Sequence, residues 1–146
     1  MKENKRVLVI DASIAVKLFL PEDHSDRAVK IFSMLNAKPP ALIFVPELFF
    51  IECANVFRSR YKLGGMTSVE AKRAFEILCS FPLQSLSTAE LSSMALDLAL
   101  RHDISVYDAC YLAASIHLNA RLLTADKKLV GKLKNTNYDV AWIDGY

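Results

Sequence analysis

Short apolar runs alternate with longer amphipathic segments along the whole chain. The first run, Val7 to Ile10, is apolar at every position, which is typical of a strand buried on both faces of a parallel sheet. Similar runs predict strands at 42–45, 122–124 and 140–142, with a weaker one at 83–86. Helical apolar spacing predicts helices between them, over 12–20, 22–36, 46–63, 68–80, 88–101, 106–119 and 127–134.

Local signals mark several helix boundaries. Pro46 suits the first position of a helix, since proline needs no backbone N–H there. Capping-box spacing occurs at Thr67…Glu70 and Ser87…Glu90, and Gly64-Gly65 is a stop signal. Strands that alternate with helices predict an α/β domain with a parallel sheet covered on both faces. In such sheets, ligands bind beyond the carboxyl ends of the strands.

The composition predicts one globular domain over residues 1–146. Of the 146 residues, 53% are hydrophobic and 23% charged, enough to bury a core without disulfides or structural metals. Cys53, Cys79 and Cys110 are odd in number and lie in apolar stretches, which predicts reduced core residues of an intracellular protein. Since no segment reads as a signal peptide or membrane span, we expect a cytoplasmic protein.

Two features of the surface leave alternatives open. A net charge of +2 permits a polyanionic partner. The basic residues form four groups in the sequence, which are either solvated faces or a surface that guides such a partner. The groups are Lys2, Lys5 and Arg6; Arg58, Arg60 and Lys62; Lys72 and Arg73; and Lys127, Lys128, Lys132 and Lys134. A mean hydropathy of +0.22 indicates apolar surface covered by a partner. The aromatic residues of the 46–63 segment are either all core or partly contact residues: Phe49, Phe50, Phe57 and Tyr61.

Two aspartates lie where predicted strands end. Asp11 directly follows the first strand, and Asp126 follows Thr124 and Ala125 at the end of another. Each is compatible with a helix N-cap that accepts backbone N–H bonds. Their equivalent positions at two strand ends favour a shared functional site.

Two further acids lie on apolar helices. Asp108 is in the segment SVYDACYLAASIHL, which is so apolar that we expect it to be buried. Ser105 and Asp108 have the spacing of an N-cap and its N3 partner, a role compatible with facing a metal. Glu52 has no basic residue three or four positions away, so it either lies on a solvated face or, if buried, requires a compensating charge or metal. Asn55, one turn later, is either a donor to the site or a polar edge residue.

Four carboxylates brought together repel one another unless a cation is present. Oxygen ligands favour the hard ions Mg²⁺ or Mn²⁺. Such an ion acidifies a bound water and neutralises the charge that develops on a phosphate. The four acids therefore predict metal-dependent hydrolysis of phosphodiester bonds. The histidines lie in no motif with serine or cysteine that would support a catalytic triad.

Four segments, in this order, resemble the PIN-domain nucleases: VLVIDASIAVKLFL, PELFFIECANVF, SVYDACYLAASI and LLTADKKL. The resemblance runs from Val7 to Trp142, and the size is that of single-domain VapC-type toxins of toxin–antitoxin pairs. It implies a three-layer α/β/α sandwich with a central parallel β-sheet. It also implies an endoribonuclease that uses Mg²⁺ or Mn²⁺ to activate the attacking water.

The resemblance also implies roles for individual residues and a set of partners. The family's acidic, metal-binding positions are occupied by Asp11, Glu52, Asp108 and Asp126, and its hydroxyl positions by Ser13 and Thr124. Ser13 either holds a water or substrate phosphate or caps the following helix, and Thr124 either orients a carboxylate or is a β-favoured residue. Some relatives carry another acid where this chain has Lys127 and Lys128. The implied partners are RNA, such as tRNA, a cognate antitoxin and a second copy in a homodimer.

Other functions remain as alternatives to a toxin nuclease. A catalytically silent PIN-like module would bind RNA or protein without cleavage, although the four acids are intact. A housekeeping RNA-processing nuclease would carry the same residues. Phosphoryl-aspartate chemistry is disfavoured, because Ser13 occupies the position of the phosphatases' second acid and the adjacent acidic pair of receiver domains is missing.

Overall fold

The computed structural model describes residues 6–146, in which five strands form one parallel sheet. The strands are β1 (Val7–Ile10), β2 (Leu42–Pro46), β3 (Gln84–Leu86), β4 (Arg121–Thr124) and β5 (Val140–Trp142). Their order in the sheet is β3-β2-β1-β4-β5, and each neighbouring pair is parallel. The predicted α/β class with a parallel sheet is confirmed.

Helices cover both faces of this sheet. They are α1 (Ala12–Ala15), α2 (Ser25–Ser33), α3 (Leu48–Lys62), α4 (Ser68–Ser80), α5 (Thr88–His102), α6 (Val106–Leu118) and α7 (Lys127–Leu133). Right-handed crossovers place α1 to α4 on one face and α5 to α7 on the other, which gives the three-layer α/β/α sandwich. Helix α6 packs across β1, β2 and β4 at the centre of the sheet.

The central strands are buried because helices cover them from both sides. Val9 and Ile10 of β1 and Leu122 and Leu123 of β4 have no solvent exposure. Full burial of an aliphatic side chain contributes about 1.5–3 kcal/mol. The continuous apolar runs of the sequence are therefore explained by a sheet whose two faces both lie in the core.

The first two helices are shorter than the periodicity predicts. The predicted helix 12–20 is α1 followed by a 3-10 turn at Val16–Leu18, and 22–36 is α2 followed by a 3-10 turn at Met34–Asn36. Before α2, the hydroxyl of Ser25 accepts a hydrogen bond from the Glu22 N–H (3.2 Å) and donates to the Leu20 carbonyl (3.0 Å). This turn delays the start of α2 to Ser25, because serine hydroxyls compete with helical hydrogen bonding.

The prediction that Pro46 opens a helix is wrong. Pro46 is the last residue of β2 and pairs with Leu86 of β3, and α3 begins two residues later at Leu48. Proline is tolerated here because the Glu47 N–H, not that of residue 46, donates to the Leu86 carbonyl (2.9 Å). The stop signal is confirmed: Gly64, just after α3, has a positive φ of 76°.

The capping predictions hold to different extents. At α4, Thr67 and Glu70 form both bonds of a capping box. At α5, the Ser87 side chain accepts a hydrogen bond from the Glu90 N–H (3.3 Å), which is one of the two bonds. A single cap of this kind is worth about 1 kcal/mol to the helix.

The cysteines and aromatic residues divide between core and surface. Cys53 and Cys110 are buried free thiols, as predicted, but Cys79 is exposed on the outer side of α4, so its assignment to the core is wrong. Among the α3 aromatic residues, Phe49 and Phe57 are core and Phe50 is half-buried, whereas Tyr61 is 51% exposed. Lys2 and Lys5 lie outside the described residues. Within residues 6–146, no helix combines the length and hydropathy needed to cross a membrane.

Candidate active site

The chain reverses its direction of travel across the sheet between β1 and β4. From β1 it moves outward to β2 and β3, then returns past β1 to form β4 and β5. Ligands of doubly wound sheets bind at this switch point, beyond the carboxyl ends of the strands. Asp11 directly follows β1 and Asp126 lies two residues beyond β4, so both predicted acids are at the switch point.

Asp11 is held from three directions. Only 5% of the residue is exposed, and its Oδ1 accepts hydrogen bonds from the Ser13 hydroxyl and from the Ile14 N–H, the latter at 3.3 Å. The Thr124 hydroxyl donates to Oδ2. Asp11 is thus the N-cap of α1, as one of the two interpretations of its position predicts, and it also lies at the switch point of the sheet.

The two hydroxyls connect β1 to the loop that follows β4. The Ser13 hydroxyl accepts from the Ala125 N–H (2.9 Å), and the Thr124 hydroxyl accepts from the Asp126 N–H (3.0 Å). The hydroxyls themselves are 3.5 Å apart. Ser13 is therefore not the cap of α1, and Thr124 contacts the Asp11 carboxylate directly. Each hydroxyl donates its single proton to Asp11 and accepts a hydrogen bond from a backbone N–H of the loop.

Glu52 enters the site from α3. This helix starts at the carboxyl edge of the sheet directly after β2, so its second turn lies above the strand ends. Glu52 Oε1 is buried and has no hydrogen-bond partner within residues 6–146. Burial, then the charges of Asp11 and Asp108, raise the Glu52 pKa from 4.5 to about 7. The predicted uncompensated carboxylate is therefore present in the structure.

Asp108 enters the site from the opposite face, on α6. Only two residues separate the end of α6 from β4, so the helix runs antiparallel to the strand and begins at the carboxyl edge. The Ser105 hydroxyl accepts from the Asp108 N–H (3.0 Å), which confirms the N-cap pairing. Burial raises the Asp108 pKa, Asp126 raises it further, and Ser105 and Lys132 oppose the shift.

The charges of the four acids act on one another. Burial raises the Asp11 pKa to about 6, against the hydrogen bonds from Ser13 and Thr124, and Asp108 adds to the rise. Asp11 and Asp108 together raise the pKa of Glu52. Asp126 couples to the cluster through Asp108, and its own Oδ1 caps α7 by accepting from Lys128 N (2.9 Å) and Leu129 N (3.2 Å).

The donor set fits a hard divalent cation. All four acids offer oxygen ligands, and one of these oxygens is buried without a partner. Burial and the crowding of like charges raise the pKa values of three of the acids, Asp11, Glu52 and Asp108. Across residues 6–146, no three acidic, histidine or cysteine side chains form a ready-made cage around one point. This is the arrangement that Mg²⁺ tolerates, because it usually binds one or two carboxylates directly and retains several waters.

The structure also places Asn55 and two of the histidines. Asn55 is exposed on α3, one turn from Glu52. His24 lies against Asp144 (3.6 Å) and His102 against the Tyr138 hydroxyl (3.2 Å), so the partner of each lies outside the four candidate site acids.

Two residues near the acids were missed by sequence reasoning. Tyr111 is buried on α6 close to Glu52, and Lys132 of α7 opposes the rise in the pKa of Asp108. The available signal for Tyr111 was its position three residues after Asp108, which puts both on one side of α6.

The fold and this carboxylate cluster define a class of protein. The PIN domain model matches residues 8–132, and the chain belongs to the PIN-domain family. The family identified from the four sequence segments is therefore confirmed, and so is the three-layer fold that it implied.

Individual relatives agree with this assignment. The chain is 33% identical over 127 residues to Ribonuclease VapC3 of Pyrobaculum aerophilum, covering 86% of this chain and 93% of that protein. Among solved structures, it is similar to PAE2754 from P. aerophilum, with TM-score 0.70, 20% identity and 97% and 93% of the two chains covered. VapC20 of Mycobacterium tuberculosis, described as a sarcin-ricin loop cleaving toxin, gives TM-score 0.63 at 18% identity, with 85% and 93% covered.

Proposed function

We propose that this protein is a divalent-metal-dependent endoribonuclease of the VapC type, the toxin of a toxin–antitoxin pair. The observation that carries the proposal is the carboxylate cluster of the buried Asp11 and the half-buried Glu52 and Asp108 at the switch point of the sheet. The similarity to Ribonuclease VapC3 supports RNA as the substrate. The four acids that resemble the family's site are all present at one edge of the sheet.

Divalent-metal dependence is general among PIN-domain ribonucleases, and Mg²⁺ or Mn²⁺ suits this donor set. The ion would be held by Asp11, Glu52, Asp108 and Asp126, directly or through water. When bound, it neutralises negative charge and increases the acidity of water. The cluster's raised pKa values fit this role, because a cation stabilises the ionised forms that burial and repulsion disfavour.

The chain's own residues then have separable tasks. Ser13 and Thr124 hold both oxygens of Asp11, so this carboxylate has one orientation. Ser105 fixes the first turn of α6 and thereby the position of Asp108. The cap bonds to Asp126 Oδ1 fix this carboxylate at the start of α7. Such outer contacts commonly affect metal affinity or activity by about 10–100-fold.

RNA would approach along the basic part of the carboxyl edge. If the four site acids are set aside, eighteen basic residues face twelve acids, which leaves the rest of the chain at +6. Several of the basic residues are already paired, including Arg60 with Glu22, and Lys132 contacts Asp103. Lys127 and Lys128 are exposed directly beside Asp126, with Lys127 Nζ 4.3 Å from the centre of the Trp142 ring. They are the best placed to contact an RNA phosphate.

The protein partners follow from the same assignment. We expect a cognate antitoxin and a homodimer, and the chain exposes apolar side chains of the kind such interfaces cover. They lie on α3 and the segment after it and on α5 and α6: Ile51, Tyr61, Leu63, Leu96, Leu100 and Tyr107. VapBC2 of Rickettsia felis, a structure of 15% identity and TM-score 0.67, is described as bound to a DNA fragment of its promoter.

A cleavage assay tests the proposal. Purified protein is incubated with total tRNA and a structured RNA in Mn²⁺ or Mg²⁺, with EDTA and with Asp11→Asn, and the product ends are mapped. We expect 5′-phosphate and 3′-hydroxyl ends that are lost in EDTA and in the variant. Unchanged RNA binding by a wild-type protein that cleaves no RNA under any of these conditions would instead favour the silent binding module.

The toxin role is tested separately in cells. Expression should arrest growth, Asp108→Asn should abolish the arrest, and co-expression of a neighbouring short reading frame should relieve it. An active ribonuclease whose expression leaves growth unchanged would favour a housekeeping role in RNA processing.

A further inference from the structure

Tyr111 carries a polar group that packing alone does not explain. The residue lies in the middle of α6, is 1% exposed and is among the largest fully buried side chains. Its hydroxyl oxygen is buried without a hydrogen-bond partner within residues 6–146. Buried tyrosine hydroxyls normally find a partner, since an unpaired buried hydroxyl costs free energy. Phenylalanine would fill the same space without this cost.

A matching acceptor lies on α3. Glu52 Oε1 is the other buried side-chain atom without a hydrogen bond in the described part of the chain. Burial is the main cause that raises the pKa of the Tyr111 hydroxyl, the charges of Glu52 and Asp11 add to the rise, and the backbone of Ala12 opposes it. The Tyr111 hydroxyl in turn opposes the rise in the pKa of Glu52. A lone O–H donor on α6 and a lone carboxylate oxygen on α3 therefore lie close to each other.

We propose that Tyr111 is a positioning residue for Glu52: its O–H donates to one carboxylate oxygen and turns the other oxygen toward the metal site. The inference rests on the proposed function, because it assigns Tyr111 a role only if Glu52 faces a cation. The Tyr111 hydroxyl fixes the Glu52 carboxylate in the same way as the Ser13 and Thr124 hydroxyls fix the Asp11 carboxylate. This role also explains why the two unpaired atoms occur together.

The test is the Mn²⁺ affinity of Tyr111→Phe, measured by calorimetry without RNA. The substitution removes one oxygen and keeps the ring, so the core remains filled. We expect the dissociation constant for Mn²⁺ to rise about 10-fold or more, as for other residues that orient a metal ligand. The matched control is Tyr138→Phe, which also removes one hydroxyl, the one that contacts His102 at 3.2 Å. We expect its Mn²⁺ affinity to equal that of the wild type.

A double-mutant cycle identifies the residue through which Tyr111 acts. If the hydroxyl works through the charged Glu52, Tyr111→Phe should change Mn²⁺ affinity much less in a Glu52→Gln background than in the wild type. A purely structural hydroxyl predicts a different pattern. Its removal would change the melting temperature of the metal-free protein and leave Mn²⁺ affinity unchanged, and that result would overturn the inference.

The outcomes separate this inference from the proposed function. If Tyr111→Phe binds Mn²⁺ as tightly as the wild type, which cleaves RNA, the inference about Tyr111 fails and the proposed function stands. If Tyr111→Phe loses Mn²⁺ affinity but the wild type cleaves no RNA, the inference stands and the ribonuclease proposal fails. A wild-type protein that binds no Mn²⁺ overturns the role of Tyr111 outright.

Discussion

Thr124, the last residue of β4, donates its hydroxyl to Asp11, the first residue after β1. The two residues are 113 positions apart in the chain, and the bond joins the two strands that flank the switch point of the sheet. It ties the orientation of the most buried acid to the sheet itself, and the same hydroxyl also receives the Asp126 N–H. Thr124 is thus hydrogen-bonded to two of the four acids, to the carboxylate of Asp11 and to the backbone of Asp126.

The substitution Thr124→Val tests this bond with little change in side-chain volume. We expect RNA cleavage to fall about 10–100-fold, because Asp11 loses a donor that orients it. The free energy of unfolding should fall by about 1–3 kcal/mol, as for other lost bonds to buried polar groups. Cleavage rates and chemical denaturation measure the two effects.

Thr136→Val is the control for that experiment. It removes a hydroxyl that donates to the Leu133 carbonyl at 2.6 Å, away from the four acids. It should lower stability without lowering the cleavage rate of the folded protein. Equal cleavage by Thr124→Val and Thr136→Val would show that the bond to Asp11 has no part in activity.

Stability in EDTA should decrease as the pH rises. The pKa values of Asp11 (about 6, ordinarily 3.8) and Glu52 (about 7, ordinarily 4.5) are raised, so the folded chain holds protons that the unfolded chain releases. The contribution of these two groups to the free energy of unfolding is therefore greatest below about pH 4, falls between about pH 4 and pH 7, and is level above that. Melting temperatures at pH 5 and pH 8 should show a decrease of several degrees.

Two amide variants assign that pH dependence. Glu52→Gln should make the decrease shallower, since the amide cannot ionise, whereas Glu76→Gln on the exposed face of α4 should leave it unchanged. A melting temperature that increases from pH 5 to pH 8 in EDTA would contradict the assigned electrostatics of the cluster.

Divalent cations should stabilise the folded protein at neutral pH. Mn²⁺ at a hundred times its dissociation constant contributes about 2.7 kcal/mol, which corresponds to an increase of about 5–10 °C in melting temperature for a chain of this size. Asp126→Asn keeps an acceptor for the α7 cap but removes the charge, so it should reduce the increase. Asp97→Asn, on the exposed side of α5, should leave the increase in melting temperature unchanged. If Mn²⁺ raised the melting temperatures of both variants equally, Asp126 would not belong to the metal site.

RNA binding should depend on the lysines beside the site. In an Asp11→Asn background, Lys127→Gln with Lys128→Gln should reduce the slope of log affinity against log salt by about 1.4, which is the effect of losing two phosphate contacts. Lys30→Gln with Lys38→Gln, which removes two charges around the cavities at the amino edge of the sheet, is the matched control. Fluorescence anisotropy at several salt concentrations measures both, and equal slopes would place the RNA elsewhere.

The sequence by itself determined the local parts of this protein. Continuous apolar runs predicted the buried strands, and the acids at their ends, Asp11 and Asp126, were found because a strand end is visible as the end of such a run. Glu52 was found because its helical neighbours could not pair with it. These properties depend on residues a few positions apart, and hydropathy periodicity records them directly.

The tertiary structure alone decided how distant elements meet. It placed Pro46 in a strand, because the hydrogen bond at that point comes from Glu47 and its acceptor is Leu86. It left Cys79 exposed, and it brought the Tyr111 hydroxyl of α6 close to Glu52 of α3. Such outcomes depend on contacts between segments tens of residues apart. A hydroxyl's partner is fixed by packing geometry, about which local residue patterns carry little information.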